Sequence, residues 1–230
     1  MNRVLLIVTA FTLLMTTHLC QAAPPQPGPY ASGFLGVTVP RSQDVNSFDY
    51  FAGKDYSDRV EFNPGVSMGG TGGYDFGIIR VEGEISYKFT KMKSITEKST
   101  GYGYRDVDGT LDAVAFMFNT FLDIPTGSPV TPYLGGGIGF AGIHLSNTYG
   151  TDTRTTYSRL KLYEDDYDSV FAYQIGAGVE IALNRRLSLD LGYRYFCTDT
   201  ARIGTDNHNM VITNIKLESH NANVGVRFKF

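Results

Sequence analysis

The chain has 230 residues, of which 26 are glycine, 15 tyrosine and 15 phenylalanine, and its formal net charge at pH 7 is −3. A charge this small argues against nucleic acid as a partner. Beyond its first residues the chain has no run of about twenty apolar residues, the length of a transmembrane helix. Short apolar runs between turn-forming clusters indicate instead one all-β domain.

The first 22 residues have the features of a secretory signal. One base, Arg3, precedes an apolar run over residues 4–15, and the segment ends at Cys20-Gln21-Ala22. We predict cleavage after Ala22, which changes the net charge to 19 − 23 = −4 and leaves Cys197 without a disulfide partner. Lipid attachment at Cys20 is a less favoured alternative, because the residues before it are a poor match to a lipidation box.

The chain after the signal begins with a proline-rich linker, residues 23–29, and continues as one predicted barrel domain, residues 30–230. Strand one is predicted near residues 30–39 and strand two near residues 62–74. Strand three, over residues 79–89, alternates most clearly, with apolar side chains on one face and mostly charged side chains on the other. This strand therefore has one face suited to lipid and one face that needs polar partners.

Five further strands complete the pattern. They are predicted near residues 110–122, from Tyr133 onward with a bulge near Gly142, and near residues 171–181, 187–196 and 220–230. Long polar segments and short turns alternate between the eight strands. This rhythm predicts an eight-stranded antiparallel up-and-down transmembrane β-barrel with four long outer loops and three short periplasmic turns. The even number of strands closes the sheet and leaves no unpaired edge in lipid.

Nine charged side chains are predicted to point into the barrel, five of them bases and four of them acids. They are Arg80, Glu82, Glu84, Lys88, Glu180, Asp190, Arg194, Arg227 and Lys229. An eight-stranded barrel is only wide enough to be filled by its own side chains, and buried charges have to be paired. We therefore expect an ion-pair network in the lumen, with inward glycines making room for long side chains, and little or no continuous water channel.

Aromatic residues near the strand ends are expected to form girdles on the outside of the barrel, at the two membrane interfaces. They include Tyr87, Phe89, Tyr133, Tyr173, Tyr195 and Phe230. A soluble lipocalin-like barrel would place the same apolar face inside, and periodicity alone does not distinguish the two barrels. The signal segment, the aromatic last residue and the alternation of long and short connections favour the membrane barrel.

Four stretches carry a family resemblance. They are RVEGEISY at 80–87, PYLGGGIG at 132–139, LSLDLGYRY at 187–195 and SHNANVGVRF at 219–228. Together they resemble the surface-antigen, porin-like family of outer-membrane β-barrels, which share the barrel architecture of OmpA and OmpX. The resemblance implies an eight-stranded barrel with variable surface loops and no active site common to the family. It further implies that Val224, Val226, Phe228 and Phe230 form the C-terminal signal read by the barrel-assembly machinery.

Three motifs suggest other chemistry and are less favoured. Gly137-x-Gly139-x-x-Gly142 matches a dinucleotide-binding string, but no βαβ unit surrounds it. His144-Leu145-Ser146-Asn147 resembles the element of lipid A deacylases in which the serine attacks an ester with the histidine as base. The orienting acid would come from Glu164, Asp165 or Asp166. The same acids and Asp168 offer oxygen ligands for a divalent cation, although a solvated acidic loop is the simpler interpretation.

The sequence as a whole predicts a non-enzymatic barrel of the bacterial outer membrane that displays its loops for adhesion, recognition or membrane integrity. No catalytic residue, cofactor or metal ligand is predicted. The expected partners are outer-membrane lipid and lipopolysaccharide, the barrel-assembly machinery, and a host or cell-surface ligand of the loops. A narrow porin-like channel for small solutes is the first alternative, and a lipid A-modifying esterase is a remote one.

Overall fold

The computed structural model describes residues 27–49, 53–98, 101–152, 159–163, 165–204 and 211–230. The predicted signal segment and residues 23–26 of the predicted linker lie outside the described residues. Fifteen strands are described: β1 (Gly28–Pro40), β2 (Gln43–Asp49), β3 (Lys54–Phe62), β4 (Gly65–Asp75), β5 (Ile79–Glu97), β6 (Gly103–Arg105), β7 (Thr110–Asp123), β8 (Val130–Leu145), β9 (Thr148–Asp152), β10 (Arg159–Tyr163), β11 (Asp166–Ala182), β12 (Leu187–Thr198), β13 (Ala201–Ile203), β14 (Val211–Ile215) and β15 (Glu218–Lys229). No helix in the described part of the chain has the length and apolarity to cross a membrane.

Eight long strands pair antiparallel in a ring, which confirms the predicted all-β fold. The order around the ring is β1, β4, β5, β7, β8, β11, β12 and β15, and β15 pairs back onto β1. The last pairing runs from Tyr30 opposite Lys229 to Pro40 opposite Ser219. Strand two of the prediction is β4 and begins three residues later than expected, because Phe62 belongs to β3.

Alternating burial along the ring strands shows which face points inward. On β5 the side chain of Arg80 is only 1% exposed, whereas Ile85 is 51% exposed. The polar face therefore lines the lumen, and the apolar face covers the outside of the barrel. This arrangement is the inverse of a soluble barrel and suits a lipid surrounding.

Three short turns join the ring strands on the side of the barrel where β1 begins and β15 ends. They span residues 76–78, 124–129 and 183–186. In the first turn the backbone N–H of Gly77 donates to Asp75 Oδ1 at 2.7 Å, and Gly77 has a φ of 99°. Only glycine adopts this conformation without strain, which explains the residue at this turn.

The long connections at the other end are largely strands, although the sequence pattern predicted polar loops there. β14 pairs with β2, β2 with β3, β3 with the outer part of β5, and β6 links β5 to β9 and β10. We call β2, β3, β6, β9, β10, β13 and β14 together the outer sheet. The prediction missed these strands because some of their inward positions are also polar, such as Ser47 and Thr213, so polar and apolar side chains do not alternate cleanly.

The polarity of the two faces is inverted at the outer end of the barrel, where apolar side chains turn inward. We call this buried apolar cluster the outer core; it contains Val45, Val60, Phe62, Met92, Ile95, Leu111, Ala113, Ala115, Met117, Ala141, Ile143, Leu145, Tyr163, Val170, Ala172, Phe196, Ala201, Ile203, Ile215 and Leu217. Strands that leave the lipid enter water, so the outside becomes polar and the hydrophobic effect fills the inside. The outer core lies above the charged part of the lumen.

The bulge predicted near Gly142 is wrong. β8 pairs with both β7 and β11 in a register that runs without a shift from Leu145 to Tyr133. The apolar set changes phase there because Ala141, Ile143 and Leu145 point into the outer core, whereas Ile138 and Phe140 point outward to lipid. The apolar side chains move from the outward to the inward face of β8 because the polarity of the two faces is inverted there, and not because the strand contains an extra residue.

A tyrosine on β10 ties two of the long connections together. The hydroxyl of Tyr163 donates to Asp58 Oδ2 at 3.1 Å, and the two residues are 105 positions apart in the chain. Burial raises the pKa of the Asp58 carboxyl above its ordinary value, and it also raises the pKa of the Tyr163 hydroxyl. The contact therefore lies in a dry part of the outer sheet.

Two leucines on β8 test the inversion of polarity. Leu145 is fully buried in the outer core, whereas Leu134 is 51% exposed on the outside. We expect Leu145→Ala to lower the free energy of unfolding by about 2–5 kcal/mol, because it leaves a cavity. Leu134→Ala is the matched control and should cost about 0.5 kcal/mol of lipid contact. Denaturant titration in lipid vesicles, followed by far-UV circular dichroism, measures the free energy of unfolding of both variants. Equal destabilisation of the two variants would contradict the burial of Leu145 in the outer core.

Candidate functional site

The charged lumen is the candidate site, and four ring strands supply the charges predicted for it. β5 contributes Arg80, Glu82, Glu84 and Lys88, β11 contributes Glu180, β12 contributes Asp190 and Arg194, and β15 contributes Arg227 and Lys229. Each of these side chains lies on the inward face because strand residues two apart share a face. Eight of the nine belong to two contact groups, one toward the short turns and one at mid-height.

The group toward the short turns is centred on Glu180. Arg80 Nη1 lies 3.2 Å from Glu180 Oε2 and 3.5 Å from Asp123 Oδ2. Arg227 Nη1 donates to the same Glu180 oxygen, and its Nη2 lies 2.9 Å from Asp190 Oδ2. These pairs are almost completely removed from water, so each charge depends on its partner for the hydration that it has lost.

Lys229 extends this group to the last ring position before the chain end. Its Nζ lies 2.8 Å from Asp75 Oδ2 and 3.6 Å from Glu180 Oε1. The closing strand β15 is thereby tied to β4 and β11 through the lumen, in addition to its backbone pairing with β1 and β12.

The group at mid-height surrounds the carboxylates of Glu82 and Glu84. Arg194 donates to Glu84 Oε2, and its Nη2 lies 3.4 Å from Glu82 Oε1. The amide of Asn119 donates to Glu84 Oε2 at 2.9 Å and to Glu82 Oε1 at 3.3 Å. Gln174 donates to Glu84 Oε2 at 3.0 Å. Amides of two strands thus complete the hydrogen bonding that ion pairs alone would leave unmet.

Two tyrosines line the lumen, and one of them corrects an expectation. Tyr133 was predicted on the outer girdle, but it is 5% exposed and its hydroxyl donates to Asp190 Oδ1 at 2.8 Å. Tyr30 is likewise buried and donates to Glu82 Oε2 at 2.7 Å. Side chains alternate between the two faces of β8, and Leu134 faces outward, so its neighbour Tyr133 faces inward. The position of Tyr133 along the strand, and not its aromatic character, therefore decides which face it is on.

Aromatic rings also pack against the buried guanidinium groups. Arg80 lies over the rings of Tyr133 and Phe121, at 4.7 and 5.2 Å from their centroids. Arg227 lies 4.8 Å from the centroid of Tyr30. The quadrupole of each ring stabilises the positive charge where water is absent.

Lys88 lies at the boundary between the charged lumen and the outer core. Its Nζ donates to Ser86 Oγ at 3.0 Å and lies 4.0 Å from the centroid of Phe196. Phe196 belongs to the outer core and is fully buried. Among the described residues, no carboxylate forms a salt bridge with Lys88, so the predicted pairing is not made at this one position.

The lumen holds two acids that the sequence pattern did not assign to it. Asp75 and Asp123 are both buried and pair with Lys229 and Arg80. With them the described lumen holds five bases and six acids, instead of five and four. Both acids stand at strand ends, where an aspartate is ordinarily attributed to a turn. The signal that finds them is parity, because Asp75 continues the inward set of Thr71 and Gly73 on β4.

Little empty space remains in the lumen between the mid-height group and the outer core. A cavity of about 10 Å³ is lined there by Phe34, Ser67, Glu84, Lys88, Gln174, Arg194, Asn221 and Asn223. This volume is at the lower limit of what one water molecule needs. Glycine is required at 137, because a Cβ there would collide with Asn119 Oδ1 and the backbone of Phe118.

Three residues of the predicted assembly signal lie on the outer face of β15, and Phe230 follows directly after that strand. Val224, Val226, Phe228 and Phe230 are 54%, 51%, 41% and 74% exposed. The backbone N–H of Phe230 donates to Pro29 O at 3.1 Å, whereas its ring makes an edge contact with Phe228 at 5.4 Å. The ring of Phe230 thus contributes little buried surface to the barrel.

The alternative motifs are occupied by structural contacts. The hydroxyl of Ser146 accepts from the backbone N–H of Thr110 at 2.8 Å, and His144 lies 3.5 Å from Asp112 Oδ2 and 3.3 Å from Asp165 Oδ1. Gly137, Gly139 and Gly142 lie within β8, whose pairing with β7 and β11 is continuous. They therefore belong to a strand and not to a nucleotide-binding turn.

Two aspartates at the start of β11 bind the backbone of a neighbouring connection. Asp168 Oδ2 accepts from the backbone N–H of Arg202 at 2.8 Å, and Asp166 Oδ2 accepts from that of Gly204 at 2.6 Å. Glu164 lies outside the described residues. Within the described ranges, no group of three or more His, Cys, Asp or Glu residues is arranged to hold a metal ion.

Comparison with known proteins gives a family match that spans nearly the whole chain. A family model described as an outer membrane protein beta-barrel domain matches residues 7–230. The crystal structure of the outer membrane protein OprG from Pseudomonas aeruginosa has a TM-score of 0.58 and covers 91% of this chain and 98% of its own. The identity to OprG is 15%, so this likeness shows the fold alone.

Two relatives are similar in sequence. An uncharacterised protein of Brucella abortus is 42% identical over 80 residues, and the chain spans only 28% of the length of that relative. Opacity protein opA65 of Neisseria gonorrhoeae is 26% identical over 200 residues, which cover 73% of this chain and 78% of the relative.

Removing one buried carboxylate tests how much the barrel depends on its lumen. Glu180→Gln leaves Arg80, Arg227 and Lys229 with one counter-charge fewer, and we expect the free energy of unfolding to fall by about 3–5 kcal/mol. The matched control is Glu61→Gln, which removes an exposed partner of Lys93 at 3.2 Å and should have no measurable effect. The chain contains no tryptophan, so far-UV circular dichroism during denaturant titration is the suitable measurement. Equal stability of the two variants would contradict the dependence.

Proposed function

This chain belongs to the family of outer membrane protein β-barrel domains, and from that premise we propose that it displays a folded outer sheet as a recognition surface outside the cell. It is located in the outer membrane. One observation carries the proposal: the long connections are paired strands, and they share a buried apolar core with the outer ends of the ring strands. A rigid surface loses little conformational entropy when a ligand binds, which favours recognition.

The exposed part of the outer sheet offers apolar anchors for such a ligand. Tyr149 on β9 and Leu160 on β10 are 37% and 42% exposed. Next to the sheet, Tyr102 before β6 and Tyr167 at the outer end of β11 are 46% and 75% exposed. Arg159 lies 5.8 Å from the centroid of the Tyr149 ring. Aromatic residues and arginine are the side chains that most often dominate binding energy at protein interfaces. The ligand we propose is a host or cell-surface molecule, and the likeness to an opacity protein supports this choice.

The lumen is proposed to be closed and to carry no solute. The support comes from ion pairs that cross it at two heights and from the outer core, which fills the barrel above them. A narrow porin-like channel would need a continuous polar path through this apolar region. We propose no enzymatic activity, since Ser146 and His144 are engaged by backbone and carboxylate partners.

The remaining proposals concern the route to the membrane and the partners there. Residues 1–22 serve as a cleaved signal. The linker predicted at residues 23–29 ends earlier than expected, because Gly28 and Pro29 belong to β1 and pair with β4, so the barrel domain begins at residue 28. The barrel-assembly machinery reads Val224, Val226, Phe228 and Phe230, and outer-membrane lipid and lipopolysaccharide surround the finished barrel. The exposure of these four side chains supports the assembly role, because they remain accessible to a partner.

Adhesion of bacteria that express the chain tests the recognition surface. We expect the double substitution Tyr149→Ser with Tyr167→Ser to reduce adherence to mammalian cells at least fivefold, since it removes two exposed aromatic anchors. Tyr74→Ser is the control, because Tyr74 is 42% exposed at the opposite end of the barrel. Adherence of the double variant at the wild-type level, with equal surface amounts, would refute the role of this surface.

Single-channel recording in a planar bilayer tests the closed lumen. We expect no steady conductance, because the described lumen is filled by paired side chains and the outer core. A reproducible conductance that changes when Glu84→Gln or Arg80→Gln is introduced would establish the channel instead.

Assembly is tested by Phe230→Ala, with Phe76→Ala as the control. Both rings are exposed near the short-turn end, at 74% and 61%, so neither substitution removes much buried surface. We expect Phe230→Ala to lower the amount of folded barrel in the outer membrane severalfold, and Phe76→Ala to leave it unchanged. Heat-modifiable migration in gels measures the folded amount, and equal amounts for both variants would contradict the assembly signal.

A further inference from the structure

Two concavities lie on the outside of the barrel, the upper one along β2, β14 and the start of β15, and the lower one along β11, β12 and β15. The upper one, the rim pocket, has a volume of about 370 Å³ and is lined by polar residues that include Arg41, Asp44, Lys216 and Glu218. The lower one, the lipid groove, has a volume of about 510 Å³ and is lined chiefly by Ala177, Val179, Leu191, Tyr193 and Ala222. Neither concavity belongs to the lumen or to the exposed aromatic surface of the outer sheet.

The rim pocket is lined by two bases and two acids, and a third base, Lys98, stands next to it. Arg41 Nη1 lies 3.4 Å and Lys216 Nζ 2.9 Å from the same carboxylate, that of Glu218, while 60% and 37% of the two basic side chains stay exposed. The second acid of the pocket, Asp44, lies 2.6 Å from Lys98 Nζ. Three bases thus face two acids. The hydrogen bond to Glu218 raises the pKa of the Lys216 ammonium, so that this group is charged at every physiological pH.

The lipid groove is formed by small residues on either side of a large one. Tyr193 pairs in register with Ala177 on β11 and with Ala222 on β15. All three side chains point outward, so the two alanines leave troughs along the flanks of the tyrosine ring. Val179 and Leu191 continue the apolar surface toward the short-turn end.

An aromatic cluster joins the rim pocket to the lipid groove. The hydroxyl of Tyr193 lies 2.6 Å from His220 Nδ1, and the rings of Tyr195 and His220 are 5.1 Å apart. Tyr195 in turn donates to Glu218 Oε2 at 3.0 Å. Tyrosine and histidine with polar tips are typical of the membrane interface, so this cluster marks the level of the lipid headgroups.

The spacing of the two concavities matches one amphipathic molecule. Glu218 in the rim pocket and Ala222 in the lipid groove are four residues apart on β15, a distance of about 14 Å at roughly 3.4 Å per residue. The polar end of the site thus lies at the headgroup level, and the apolar end lies within the hydrocarbon below it.

We propose that this surface binds a phosphorylated glycolipid of the outer leaflet, lipid A in chemical class, with one phosphate held by Arg41 and Lys216 and one acyl chain lying in the lipid groove. Paired basic side chains suit a phosphate, since Arg offers a planar set of donors and Lys a compact charge. A free phosphate would use the rim pocket alone, whereas the groove is of use only to a ligand with an acyl chain. The inference rests on the proposed lipid partner of the barrel and is independent of recognition by the outer sheet.

Native mass spectrometry of the purified, folded barrel tests the site with three probes: diphosphoryl lipid A, the same lipid without phosphate, and inorganic phosphate. We expect the double variant Arg41→Gln with Lys216→Gln to bind diphosphoryl lipid A about 25-fold more weakly, at roughly fivefold for each base near a membrane surface. Binding of the lipid without phosphate should not change. Ala222→Phe, which fills the groove, should weaken the binding of both lipids.

The matched control is Lys91→Gln with Lys93→Gln, which removes two exposed outward bases from β5. This control should bind diphosphoryl lipid A within twofold of the wild type. An equal loss in the control would reduce the effect to general charge attraction and overturn the site. Retained affinity in the Arg41 and Lys216 variant, or competition by inorganic phosphate together with no effect of Ala222→Phe, would overturn it as well. Adherence measured on the same variants separates this result from the recognition surface.

Discussion

Backbone hydrogen bonding in lipid is the constraint on which the rest of this structure depends. Inside a bilayer each N–H and C=O group needs a partner within the protein, and an open sheet would leave one row of them unmet. The ring answers this requirement, because β15 pairs with both β12 and β1. Closing eight strands also fixes the width of the interior, and that width leaves room for side chains only.

A narrow interior obliges the inward charges to satisfy one another. Glu180 receives Arg80, Arg227 and Lys229 from β5 and β15, and aromatic rings and amides complete the contacts of the guanidinium and carboxylate groups. Removing one partner of such a pair strongly destabilises the barrel, because it leaves a buried charge without a counter-charge. The lumen is therefore interpreted as a structural element, and the proposed functional surfaces lie outside it.

The change of solvent along the strands decides where those surfaces are. Below the rim, apolar side chains face lipid and charges face inward, and above the rim the two are exchanged around the outer core. The exchange packs the outer sheet against the outer ends of the ring strands through a shared apolar core, which supports its proposed role in recognition. The level at which it occurs also carries the aromatic and basic residues of the proposed lipid site, Arg41, Tyr193, Lys216 and His220 among them.

The sequence by itself determined the eight ring strands, their direction and the inward position of the nine predicted charges, because alternation with a period of two is a local property. It did not reveal the strands of the outer sheet, the inward side of Tyr133, or the pairing of Asp75 and Asp123 with Lys229 and Arg80. These depend on where each strand leaves the membrane and on which strands meet across the lumen. Residues such as Tyr163 and Asp58 are brought together only when β3 and β10 meet through the pairings of β5, β6 and β9, so no local pattern records their contact.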